Sequence, residues 1–231
     1  MVESYVSFDL ETTGLNPKKD RIIEVGAIKV IDGKEVDSRS FFVNPGMKLP
    51  LKIIEITGIR DADLINAKSM GEEVENLIEF IGDLPLLGHN ILFDYSFLKK
   101  ACVDQKIDFE KEGLDTLRFA RIYLAKLPSK RLGDLCEYYQ ISLIAHRASE
   151  DARATHYLYQ TLCKNFYDEK IFVPRELICK IKRDTPITSK QIQFLTDLIK
   201  RNNLEVEYEV SRMFKSEASR EIDRILSTYG R

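Results

Sequence analysis

The chain has 231 residues, 44% hydrophobic and 31% charged, with a formal net charge of −2. This is the composition of a globular protein that buries a real core, and the length suggests one good-sized domain plus a remainder. It excludes a globally basic nucleic-acid binder, and no run approaches the roughly 18 apolar residues of a spanning helix, so no membrane partner is expected. The opening MVESYVSF has no charged segment followed by a long apolar one, so no signal peptide is expected and the chain reads as cytoplasmic. Cys102, Cys136, Cys163 and Cys179 are scattered in apolar or helical stretches without a C-x-x-C pair, which reads as buried free thiols.

Residues 5–11 read as a strand, with Val6, Phe8 and Leu10 alternating with Ser7, Asp9 and Glu11. Asn16-Pro17 breaks the chain, and the β-branched run 21–30 (RIIEVGAIKV) reads as a second strand. Asp32-Gly33 predicts a tight hairpin into 36–43, because glycine accepts positive φ there. Val74, Leu77, Ile78 and Ile81 form a helical stripe over 70–81, and 84–87 is a short apolar strand ending in Gly88-His89-Asn90. Helices are expected at about 95–103, 116–124, 131–139 and 150–165, the last capped by Ser149. Hairpin first, then alternating helix and strand, implies an α/β fold: a mixed sheet with helices on its faces and ligands at the strand ends. This block ends at about Tyr167; 168–186 reads as a linker with one short helical stretch; 187–231 reads as a small all-α module.

Three pieces carry chemistry. Asp9 and Glu11 are two apart on a strand, so both project from one face, about 6.5 Å apart along the chain. Carboxylates so placed raise each other's pKa unless a cation sits between them, and hard divalent cations take such oxygen ligands; the plainer reading is a polar strand face. Asp94, in Gly88-His89-Asn90-Ile91-Leu92-Phe93-Asp94, sits at or just before a helix start, where capping is the plainer role. Asp151 falls in the first turn of the last helix of the block, where the dipole favours a carboxylate, and His146 lies in the loop before it.

In order and spacing, D-L-E-T-T-G-L, G-H-N-x-x-F-D and H-x-x-x-x-D-A resemble the three motifs of the DnaQ-like (DEDDh) exonucleases, nearest to the proofreading exonuclease of bacterial DNA polymerase III. Arg21–Ala27, Ile56–Ile59 and Leu114–Leu117 also match, so the resemblance spans about residues 5–163. It implies an RNase H-like fold, a mixed five-stranded sheet flanked by helices. It further implies 3′→5′ hydrolysis of phosphodiester bonds at single-stranded 3′ ends, with release of nucleoside 5′-monophosphates. Two divalent ions, Mg²⁺ or Mn²⁺, would be held by Asp9, Glu11, Asp94 and Asp151, with His146 as general base. By the same resemblance Thr12, Thr13, Gly14, Leu15, Asn90 and Phe93 meet the substrate, Leu15 as a wedge between the last two bases; on sequence alone Leu15 reads equally as a plain turn residue covering the core. A nuclease that grips a chain end through metal ions needs no basic surface. DNA is the expected substrate and a polymerase or other replication or repair protein the expected partner, with proofreading in trans. The alternatives are an RNA exoribonuclease using the same five residues, or an idle module that binds 3′ ends or docks on a polymerase.

Outside these motifs, Asp115 and His156 read as structural. His89 reads as either a substrate contact or a strand end, and the basic stretch 118–131 as a phosphate track or a solvated helix face. Residues 187–231 carry two amphipathic stretches, at about 188–202 and 216–229. From Thr185 onward there are eight basic and seven acidic residues, too balanced for counterion-driven strand binding. A module this small is marginal alone, so it is expected to dock on a protein.

Overall fold

The computed structural model describes residues 1–143, 146–181, 185–206 and 208–230. The chain divides into two units, Met1–Ile181 and Lys182–Arg231. In the first, β1 (Tyr5–Thr12), β2 (Ile22–Ile31), β3 (Lys34–Phe42), β4 (Leu86–Gly88), β5 (Glu112–Asp115) and β6 (Arg175–Glu176) form one sheet in the order β3-β2-β1-β4-β5-β6. The β1–β2, β2–β3 and β5–β6 pairs are antiparallel; β1–β4 and β4–β5 are parallel. Asp32 and Gly33 both take positive φ (50° and 75°), the conformation that a two-residue hairpin turn demands.

The helices are α1 (Leu51–Thr57), α2 (Asp61–Leu64), α3 (Met70–Ile81), α4 (Ile91–Asp104), α5 (Thr116–Tyr123), α6 (Leu132–Tyr139) and α7 (Ala148–Phe166). Period-2 alternation sorts β1 onto two cores. Val6, Phe8 and Leu10 pack with Val74, Leu77, Ile81, Tyr95 and Leu98 of α3 and α4. Tyr5 joins Leu114, Phe119, Leu135, Leu158 and Tyr159 on the side of α5, α6 and α7. Asp9 and Glu11 belong by parity to the α7 side, where the Ser7 hydroxyl donates to the Ala152 carbonyl at 2.6 Å. Cys102, Cys136 and Cys163 are buried free thiols; Cys179 is half-buried.

The structure corrects several expectations. Among the described residues the sheet has six strands, not five: β6 lies in the stretch read as linker. That stretch is anchored through residue 181 because Phe172 and Leu177 are buried and the Leu177 N–H donates to the Lys111 carbonyl. Residues 182–184 of the expected linker, and Glu207 and Arg231 of the charge balance, lie outside the described residues. Helix α4 starts at Ile91 rather than 95, which puts Asp94 inside its first turn. Helix α7 is capped at Arg147 rather than Ser149, because the Asp151 carboxylate reaches back to the Arg147 N–H.

In the second unit, α8 (Ser189–Arg201) is capped by Thr188, whose hydroxyl accepts the Gln191 N–H. Ile187, Leu195 and Leu198 pack with Ala218 and Ile225 of α9 (Lys215–Tyr229). Among the described residues, no helix is long and apolar enough to cross a membrane.

Candidate active site

Strand β1 runs past the end of β4, which pairs with it only at Val6 and Ser7. The Leu10 N–H therefore has no strand partner on that side and donates to the Asp94 carboxylate at 3.1 Å. That bond ties the first turn of α4 to β1 and holds the buried Asp94 close enough to Asp9 that the two carboxylates repel. From the other side comes α7. Gly26 is the register partner of Asp9 on β2, and a Cβ there would fall 2.1 Å from the Ala148 backbone. Only glycine lets the start of α7 lie this close to the sheet. The result is that carboxylate oxygens of Asp9, Glu11 and Asp151 lie within 4.8 Å of one another.

The electrostatics follow from that crowding. Burial and the neighbouring carboxylates of Asp94, Asp151, Glu11 and Glu24 push Asp9 well above its ordinary range. Burial, Asp151 and Glu24 raise Glu11 to about 7, against the pull of Arg147. Asp94 is raised by burial, opposed by hydrogen bonds from its own and the Leu10 backbone. Asp151 is raised by burial, opposed by N–H groups of His146 and Arg147. Such a cluster is ill at ease without a cation, and its hard oxygen donors are the ligand set for a divalent ion.

His146 is exposed, in a turn at φ 64°, just before α7. Thr12 and Thr13 are buried beyond a bulge in β1; the Thr12 hydroxyl donates to the Gly14 carbonyl and Thr13 exchanges bonds with Arg21. Leu15 follows at 84% exposure. Asn90 is exposed, in the left-handed region, its N–H held by Asp115. Phe93 is half-buried against Phe97.

Asp115 caps α5, and the Tyr5 hydroxyl bonds the His156 ring. His89 is engaged at both nitrogens, with the Thr116 hydroxyl and the Lys130 carbonyl, so it braces the loop before α6. Arg118, in the basic stretch, donates to the Ile171 and Val173 carbonyls and so braces the fold. Glu24 went unnoticed as part of the site. Its signal in the sequence was a lone carboxylate inside an apolar strand, and in the structure it is 1% exposed on the site's flank.

Curated relatives are DNA polymerase III PolC-type proteins. The chain is 39% identical over 154 residues to that of Clostridium perfringens and 38% over 179 to that of Bacillus subtilis, covering 66% and 76% of this chain. That of Oceanobacillus iheyensis is 32% identical over 241 residues, covering 97% of it. This chain spans only 11%, 12% and 17% of their respective lengths. Among solved structures, E. coli Exonuclease I in complex with a dA16 oligonucleotide superposes with a TM-score of 0.62 at 21% identity, over 74% of this chain and 42% of that one. Exonuclease X in complex with 5′ overhanging duplex DNA gives 0.54 at 21% identity, over 73% and 96%. At such identities the likeness is one of fold, and it is the RNase H-like α/β fold that the motifs implied. The exonuclease family model (RNase_T) matches residues 6–159, a span holding all four carboxylates and His146, and the chain belongs to that family.

Proposed function

We propose that this protein is a 3′→5′ exonuclease that hydrolyses phosphodiester bonds at single-stranded DNA 3′ ends and releases nucleoside 5′-monophosphates. The observation that carries the reading is the convergence of Asp9, Glu11 and Asp151 oxygens within 4.8 Å, with Asp94 seated behind them on the Leu10 amide. Asp9, at the centre of the cluster, would hold two divalent ions, Mg²⁺ or Mn²⁺, together with Glu11, Asp151 and Asp94. When bound, such ions supply an activated water and a stabilised 3′-oxyanion leaving group. His146, exposed before α7, accepts the water's proton at an imidazole nitrogen, the usual work of histidine in hydrolysis. The backbone of Thr12–Gly14 holds the terminal nucleotide, the projecting Leu15 separates the last two bases, and Asn90 and Phe93 line the same pocket.

DNA is favoured over RNA because the curated relatives are named as DNA polymerases and solved neighbours carry DNA. The same relatives support action beside a polymerase, in proofreading or repair. The small second unit, with its balanced charge, is a docking module for a protein. The test is a time course on a 5′-labelled single-stranded DNA and its RNA twin with Mg²⁺ or Mn²⁺. A ladder shortening from the 3′ end, faster on DNA, is the expected result. Shortening from the 5′ end or faster cleavage of RNA overturns the polarity or the sugar preference.

A further inference from the structure

His146 stands on an exposed turn, and the two residues that follow it are held against β2 and β3. The next residue, Arg147, donates from its guanidinium to the Glu24 carboxylate at 2.9 Å and lies 5.3 Å from the centre of the Phe42 ring. The Ala148 N–H donates to the other Glu24 oxygen at 3.3 Å. One buried carboxylate on β2 therefore grips both Arg147, the cap of α7, and Ala148, its first residue, and β3 supplies an aromatic face behind the guanidinium. Helix α7 has anchors of its own beyond this turn, the close approach of Gly26 to the Ala148 backbone and the Ser7–Ala152 bond, while Asp151 is bonded back to the Arg147 N–H. Glu24 lies opposite Glu11 in the β1–β2 register, yet the carboxylates that converge on one point are Asp9, Glu11 and Asp151. Its charge is turned to the Arg147 guanidinium instead.

We propose that Glu24 is the positioning residue for His146: through Arg147 and the Ala148 amide it sets where the imidazole stands over the carboxylate cluster. The proposal rests on the exonuclease reading of that cluster. Groups that orient a reacting side chain typically change activity about 10- to 100-fold when removed. Glu24→Gln keeps the size and one acceptor but releases the ion pair.

In the full-length protein, Glu24→Gln should lower kcat on a single-stranded oligonucleotide about tenfold with KM little changed. In a His146→Ala background the same substitution should cost no more than about twofold, because the side chain it positions is gone. In the metal-free protein, amide exchange at Arg147 and Ala148 should quicken about tenfold, while the amides of α7 from Arg153 onward stay protected. Equal losses of kcat in both backgrounds, or unchanged exchange at 147–148, overturn the proposal. A wild type that fails to cleave any nucleic acid counts against the exonuclease reading alone, since the exchange measurement still decides the positioning. If Glu24→Gln does not fold, Arg147→Lys, altered at a half-exposed side chain, is read against the same outcomes.

Discussion

Replacing Glu11 by Gln reads the electrostatics of the site without any substrate. Burial, then the carboxylates of Asp151 and Glu24, raise Glu11 from an ordinary 4.5 to about 7. A carboxyl that holds its proton more tightly folded than unfolded contributes stability that is complete below about pH 4.5 and lost as pH rises through about 7. At about 1.4 kcal/mol per pH unit the displacement amounts to about 3 kcal/mol. Water and counter-ions at a half-buried site reduce this to about 1–2 kcal/mol. With chelator present, the wild type should therefore lose stability between pH 5 and 8, and Glu11→Gln should lose less. At pH 8 the variant should melt higher by roughly 2–8 °C for a unit of this size. Mg²⁺ or Mn²⁺ should reverse the order, since a bound cation stabilises the protein that keeps its ligand. Melting curves for the two proteins that shift in parallel with pH, or a metal-free variant that is the less stable at pH 8, would refute the crowding argument.

Asp9→Ala should abolish cleavage by more than about a thousandfold with the fold intact, because it removes the ligand proposed for both ions; full activity in excess EDTA or in the purified variant is the contrary result. His146→Ala should slow turnover at least about a hundredfold and leave calorimetric metal affinity unchanged; loss of metal would make the histidine a ligand. Gly26→Ala should destabilise by about 3 kcal/mol or more and cut activity, since its Cβ meets the Ala148 backbone; an unchanged melt contradicts that contact. A chain ending at Ile181 should keep its cleavage rate on short oligomers and its salt dependence; a flattened log K against log salt slope would make the second unit a nucleic-acid contact.

The sequence carried the elements that hold the chemistry, because each announces itself over a few residues. Alternation about Asp9 and Glu11, the break at Gly88-His89-Asn90 and the turn before α7 are local signals. Helix α1, capped by Gly58 at φ 71°, and strand β6 were not legible. The first is short, and the second exists only as the antiparallel partner of β5. Glu24 was hidden for the opposite reason: its role depends on Arg147, 123 positions away, and no periodicity relates the two. Nor could spacing alone show that Asp94 takes a backbone amide left over where β4 ends, because that depends on the unequal lengths of two strands.

The bond between Ser7 and Ala152 spans 145 positions, and that separation has a consequence during synthesis. At about 5–20 residues per second, Asp9 and Glu11 emerge on the order of ten seconds before Asp151. Until α7 is made and packs on β1, the nascent chain holds two neighbouring carboxylates on a strand and no third to close the cluster. Contacts this distant in sequence also form late in folding, since the intervening loop must first be closed. The three-carboxylate cluster is therefore assembled only in a chain whose nuclease unit is nearly complete, and ribosome-bound fragments that stop short of α7 lack it.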